Sequence, residues 1–220
     1  MNVEWREFLY PLGYLAQIVF GWRFIQQWVI SERRKSSVVT RSFWFFSLLG
    51  NGLLLLHACV QGQFHIGLAQ TLNGVISWRN LNLMQPPTEH WQRRNVFFLL
   101  AAVTLSVCII FSAQDVWFRA PMQIAKSKET ISYLWHLLGT VGIFLFSVRF
   151  WVQWWKAELN KKSDLDALFW GLSLLGGGFT LAYFYRIGDP VNIVSSALGI
   201  LLYGRNLILI YTPRDQFGRF

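Results

Sequence analysis

Along the chain, long apolar stretches alternate with short polar joints. Seven stretches are near 20 residues long, at roughly 9–30, 42–60, 64–84, 95–113, 133–155, 167–186 and 190–211. A bilayer's hydrocarbon core, about 30 Å thick, takes ~20 mainly apolar helical residues to cross. A transmembrane barrel would show alternating segments about half that length. The pattern therefore predicts an all-α integral membrane protein with seven transmembrane helices.

The pattern also repeats. Displaced by 126 positions, the first three runs lie over the last three without a gap, with 23 identities over 71 positions from Gly13 to Leu83. Arg23, Phe24, Gln27, Trp28 and Glu32 match Arg149, Phe150, Gln153, Trp154 and Glu158. Ser37, Phe43 and Trp44 match Ser163, Phe169 and Trp170, and Arg79 and Asn80 match Arg205 and Asn206. Apolar composition aligns Leu with Leu; it does not align Arg, Gln, Glu and Asn. The fourth run has no counterpart. One span between two sets of three lets the second set enter from the same side as the first. The expected plan is 3+1+3 with parallel repeats, which sugar transporters of the SWEET type resemble in architecture. The expected divisions are a first repeat over 1–92, a linker helix and external loop over 93–128, and a second repeat over 129–220.

Composition narrows the class. Hydrophobic residues make up 54% and charged residues 14%, against about a quarter charged in soluble proteins. The net charge of +9 would suggest nucleic acid in a soluble chain. Here the Lys and Arg gather at the ends of apolar runs, which sets membrane orientation and excludes a nucleic-acid role. Eleven of them, including Arg33, Arg34, Lys35, Lys161 and Lys162, fall on one face and five on the other. That places the N-terminus outside and the C-terminus in the cytoplasm. Cys59 and Cys108 lie apart in apolar runs, so no disulfide or metal site is expected. Glu4 and Glu7 argue against a cleaved signal peptide. The stretch QDVWFRAPMQIAKSKET reads as an interfacial segment, and His57 and His136 as structural residues in the spans. Gly50, Gly52 and Gly176–Gly178 read as sites of close helix packing.

Four arginines, Arg23, Arg79, Arg149 and Arg205, fall within spans. An arginine at mid-bilayer costs about 2.5–3.5 kcal/mol on insertion scales, so each needs a reason. Arg23 and Gln27 are one turn apart on one face, and each repeat offers Arg, Gln, Glu, Arg and Asn at one depth. One reading is structural: the side chains snorkel, Glu32 pairs with Arg23 or Arg79, and Gln27 and Asn80 join helices. The other is a lipid-phosphate site, because guanidinium forks bind phosphate oxygens in pairs. In that reading the four arginines hold phosphate, with Gln27, Glu32, Asn80, Gln153, Glu158 and Asn206 supporting them. Trp28, Trp44, Trp154 and Trp170 would wall the pocket.

The strings RF-x-x-QW-x-x-x-E, FW-x-x-SLLG and RNL, present in both repeats, resemble the lipid A biosynthesis N-terminal domain, a three-span domain found before some lipid-A-disaccharide synthases. The chain departs from the family pattern at Thr40 and Asp166, where a proline is usual, at Ile143, the place of a glutamine, and at Ser77, the place of a tyrosine that Tyr203 keeps. Asp-Pro before the third span survives only as Asp189–Pro190. The resemblance implies a Gram-negative inner-membrane protein of lipid A or related glycolipid synthesis, without the glycosyltransferase domain and needing no cofactor. The leading expectation is a protein that binds and translocates a phosphate-bearing lipid or lipid-linked sugar. The alternative is an accessory module that recruits or feeds a membrane-associated glycosyltransferase.

Overall fold

A computed structural model describes residues 8–114, 132–188 and 190–212. The segment 115–131, Asp189 and the basic residues Arg214 and Arg219 lie outside these described residues. Among the described residues there is no strand. Seven α-helices follow one another: α1 (Pro11–Arg34), α2 (Arg41–Gln61), α3 (Phe64–Leu83), α4 (Arg93–Ser112), α5 (Tyr133–Asn160), α6 (Ala167–Ile187) and α7 (Pro190–Tyr211). Five of them, α2 and α4 to α7, are long and apolar enough to cross a membrane. Helices α1 and α3 carry more polar side chains, and in α3 Thr71, Ser77, Arg79, Asn80 and Asn82 are all buried.

The helix ends obey the 126-residue displacement. Helix α2 starts on Thr40, whose hydroxyl accepts from the Phe43 N–H at 3.3 Å, and α6 on Asp166, whose carboxylate accepts from the Phe169 N–H at 3.0 Å. These are the two positions that depart from the family's proline, and both are filled by good N-caps. Helices α1 and α5 run past their apolar stretches and stop in the same way: Lys35 and Lys161, related by the displacement, take left-handed backbone with φ of 50° and 53°. Gly62 and Gly188, also related by it, end α2 and α6 with φ of 68° and 70°. Left-handed backbone is costly for lysine and free of that cost for glycine.

The chain packs as two compact units. One contains residues 8–25 and 40–114 and has α2 against α3 and α3 against α4. The other contains 26–39, 132–188 and 190–212 and has α5 against α6 and α6 against α7. The end of α1 and the loop after it thus belong with α5–α7. In this second unit α5 and α6 approach at Gly142 and Gly176, where an added Cβ on Gly142 would lie 3.1 Å from the Gly176 carbonyl oxygen. Gly50, Gly176 and Gly177 serve close packing, as expected, but Gly52 and Gly178 do not, since nothing lies within 4 Å of an added Cβ on either.

Candidate functional site

Each repeat puts an arginine in an aromatic box. In the first unit the Arg23 guanidinium lies 4.7 Å from the Phe20 and Phe24 rings and 5.3 Å from Phe43, and donates to the Ser47 hydroxyl at 2.7 Å. In the second unit Arg149 lies 4.5 Å from Phe146, 5.0 Å from Phe150 and 5.4 Å from Phe169. A fourth wall, Tyr203, stands 5.5 Å away. Both arginines are 6% exposed.

The boxes differ in hydrogen bonding. Nε and Nη1 of Arg149 are buried without an acceptor among the described residues. Ser173, the counterpart of Ser47, donates to the Phe169 carbonyl at 2.6 Å, as Ser47 does to the Phe43 carbonyl, but among the described residues it takes no bond from Arg149. The residues around the two boxes differ as well. The first repeat has Asn51 donating to Ser77 at 3.2 Å; the second has Gly177 and Tyr203 in those places. An added Cβ on Gly177 would press on Ile200 Cγ1 at 3.0 Å and would meet the Tyr203 ring only at an ordinary contact distance of 3.7 Å. Cation–π contacts contribute about 0.5–2 kcal/mol. Desolvating a charge costs several, so ring faces alone do not satisfy this guanidinium.

Glu32 does not pair with Arg23 or Arg79. Its carboxylate takes Arg205, from Nε to Oε1 and from Nη2 to Oε2 at 2.9 Å. Beside it the Gln27 amide donates to Asn206 Oδ1 at 2.8 Å, and Asn206 donates back to Gln27 Oε1 at 3.4 Å. Ser37 donates to Asn206 at 3.1 Å, and the buried Trp170 indole donates to Ser37 at 3.0 Å. The physical reason is that residues 26–39 pack with α5–α7, so the polar end of α1 meets the Arg-Asn pair of α7.

The remaining expected residues mostly repeat one another's geometry. Trp28 donates to Glu32 and Trp154 to Glu158, each at 3.2 Å. Gln27 reaches the Val38 carbonyl and Gln153 the Asp164 carbonyl, each at 3.3 Å. Asn80 and Asn206 both donate to the carbonyl one turn back at 2.9 Å. Trp44 and Trp170 are fully buried, each edge-on to the preceding phenylalanine at 5.1 Å. They serve the packing of α2 and α6. Arg79, also fully buried, donates to Asn82 at 2.5 Å and to the Trp91 carbonyl at 3.0 Å. The four arginines are therefore held in different ways: Arg205 on a carboxylate, Arg79 on a loop, Arg23 and Arg149 in boxes.

Sequence reasoning passed over one exchange. His57 packs edge-on to Tyr10 at 5.3 Å, and His136 contacts Tyr183 with a 3.1 Å hydrogen bond. Positions 10 and 136 correspond, as do 57 and 183, so the two residues have traded places between repeats. The aligned repeats contain that signal. It supports the structural reading of both histidines.

Comparison with known proteins agrees with the duplication. The profile of the lipid A biosynthesis N-terminal domain matches residues 12–82 and again 138–208. Lipid-A-disaccharide synthases of Chlamydia felis, Chlamydia abortus and Chlamydia pneumoniae are 38%, 37% and 36% identical to it, each over 92% of this chain. The chain spans about a third (33%) of the length of these relatives. No solved structure matches it.

Proposed function

The chain belongs to the lipid A biosynthesis N-terminal domain family, in two copies, and from this premise we propose that it is a module of the bacterial inner membrane that binds a phosphate-bearing glycolipid of lipid A synthesis and presents it to a glycosyltransferase. Arg149 is the phosphate contact. The observation that carries this is its burial with two N–H-bearing nitrogens lacking an acceptor, in the repeat that keeps the family's tyrosine. A phosphate oxygen supplies the missing acceptor and the missing counter-charge together. Arg205 is committed to Glu32, and Arg79, in the first unit, to the loop after α3, so neither is given a phosphate here. Presentation to an enzyme is supported by the relatives, in which the matched third shares a chain with a synthase activity by name.

Translocation of the lipid is a second reading, favoured by the duplication itself, since many transporters are built from parallel repeats. Reconstitution into liposomes with a fluorescent phosphate-bearing glycolipid separates the two. Binding without movement between leaflets is the outcome for presentation. Movement that Arg149→Gln slows is the outcome for translocation. Wild-type protein that does not distinguish the phosphorylated lipid from its dephosphorylated form contradicts both.

A further inference from the structure

The first unit contains a cleft that none of the arginine chemistry uses. It holds about 750 Å³, within the range of small-molecule sites, and opens where α2 begins and α3 ends. Arg41, Trp78, Asn82, Gln85, Glu89 and Trp91 line it. Its far wall is the loop after α3, folded back by two buried side chains. Asn82 accepts from the Trp91 N–H at 3.0 Å and donates to the Glu89 carbonyl at 3.0 Å, while Arg79 donates to the Trp91 carbonyl. The fold thus uses the backbone of residues 89 and 91 and leaves their side chains, both exposed, to face the cleft. Trp78 and Trp91 meet edge-on at 4.8 Å.

Trp78 also lines a second, apolar space of about 240 Å³, between α2, α3 and α4. Leu55, Val75, Leu99 and Val103 wall it. Leu55 and Val75 lie nearer the middle of α2 and α3 than the cleft residues do, and Leu99 and Val103 of α4 close the other side, so this space lies among the apolar spans. A cleft that mixes charged and amide groups with the rings of Phe45, Phe46, Trp78 and Trp91, beside an apolar slot that shares Trp78, fits a molecule with a polar head and a chain.

The second repeat does not carry the residues that line this cleft. Arg41, Trp78, Asn82 and Gln85 correspond to Ala167, Gly204, Ile208 and Tyr211. An ordinary interfacial surface would not need four polar or aromatic residues in one copy alone.

We propose that the cleft binds the saccharide headgroup of a lipid and that the groove beyond Trp78 takes one of its acyl chains. Sugars present C–H faces that lie against indole rings, and hydroxyls that a carboxylate, amides and a guanidinium bind in pairs. Glu89 and Arg41 together give the cleft one negative and one positive group, which suits a hydroxylated ring better than a bare phosphate. The assignment rests on the reading that the ligand is a glycolipid, and it is argued from residues of the first unit alone.

The test is equilibrium binding to the full chain in nanodiscs, with a diacylated glucosamine 1-phosphate, the same lipid without phosphate, and a phosphatidic acid with the same chains. Trp91→Ala and Glu89→Gln both spare the backbone bonds that hold the loop. Each is expected to weaken both sugar lipids at least tenfold and to leave phosphatidic acid unchanged. Arg149→Gln is expected to weaken the two phosphorylated lipids and spare the sugar lipid without phosphate. Unchanged sugar-lipid binding in both cleft variants, or phosphatidic acid binding wild type as tightly as the sugar lipids, overturns the cleft assignment. An Arg149→Gln variant with no effect overturns the phosphate contact alone.

Discussion

Glu32, near the end of α1 in the first repeat, grips Arg205 of α7 in the second repeat with both carboxylate oxygens. The pair is partly exposed, at 27% and 33% of the side chains. Its loss falls between that of a surface pair and a buried one. Glu32→Gln is expected to lower unfolding stability by about 1–3 kcal/mol. Arg205→Lys is expected to cost nearly as much, because an ammonium cannot make the two-pronged contact. Thermal unfolding in detergent reads both.

The Gln27–Asn206 amide pair beside it is buried, at 1% and 0% exposure. Gln27→Leu removes the bonds between the two amides while Asn206 keeps Ser37 and the Leu202 carbonyl, and is expected to cost about 1 kcal/mol. The double variant Gln27→Leu/Asn206→Leu is expected to cost clearly less than the two single changes added together, which a double-mutant cycle measures.

Gly142 leaves no room for a side chain: an added Cβ would lie 2.8 Å from Thr180 Cγ2 and 3.0 Å from the Thr180 backbone nitrogen. Gly142→Ala is expected to destabilise by about 1–3 kcal/mol as α5 is pushed from α6. Gly178→Ala is the control, because nothing lies within 4 Å of its added Cβ. It is expected to leave the unfolding midpoint near that of the wild type.

Asp166 joins helix capping to pH. Burial works to raise its pKa, but the Lys156 hydrogen bond, with the Phe169 N–H behind it, outweighs burial and holds the carboxyl below its ordinary 3.8. A lowered folded-state pKa favours the folded protein above the ordinary value, and that stability is lost as pH falls through 3.8 and below. The group is half exposed, so the effect is expected to be about 1 kcal/mol or less. Unfolding midpoints compared at about pH 6 and about pH 3 are expected to differ less in Asp166→Asn, which keeps a cap but has no carboxylate to titrate.

Much of the fold was legible because its signals are local. Apolar runs of membrane length gave the helices, and polar identities at fixed spacing gave the duplication. The Arg23–Gln27 spacing suggested one shared polar site, but Arg23 turns to Ser47 of α2 and Gln27 to Asn206 of α7. Helical periodicity says which residues share a face, not which helix that face meets. The partner of Glu32 was therefore missed, since it depends on residues 26–39 packing with α5–α7. The cleft was illegible for a related reason. Its wall exists only because Asn82 and Arg79 draw Glu89 and Trp91 back toward α3, and no spacing announces such a fold-back. The difference between the two arginine boxes was half visible: Tyr203 against Ser77 stood out, while its place 5.5 Å from the Arg149 guanidinium needed three dimensions.

The central claim is that Arg149 receives a lipid phosphate, and a phosphorus NMR titration tests it most directly. A phosphate-bearing glycolipid is placed in nanodiscs with the wild-type chain, with Arg149→Gln or with Arg149→Lys. The account predicts a bound phosphorus signal in wild type, its loss in the glutamine variant and partial return in the lysine variant. The same bound signal, at the same shift and occupancy, in wild type and Arg149→Gln would contradict it.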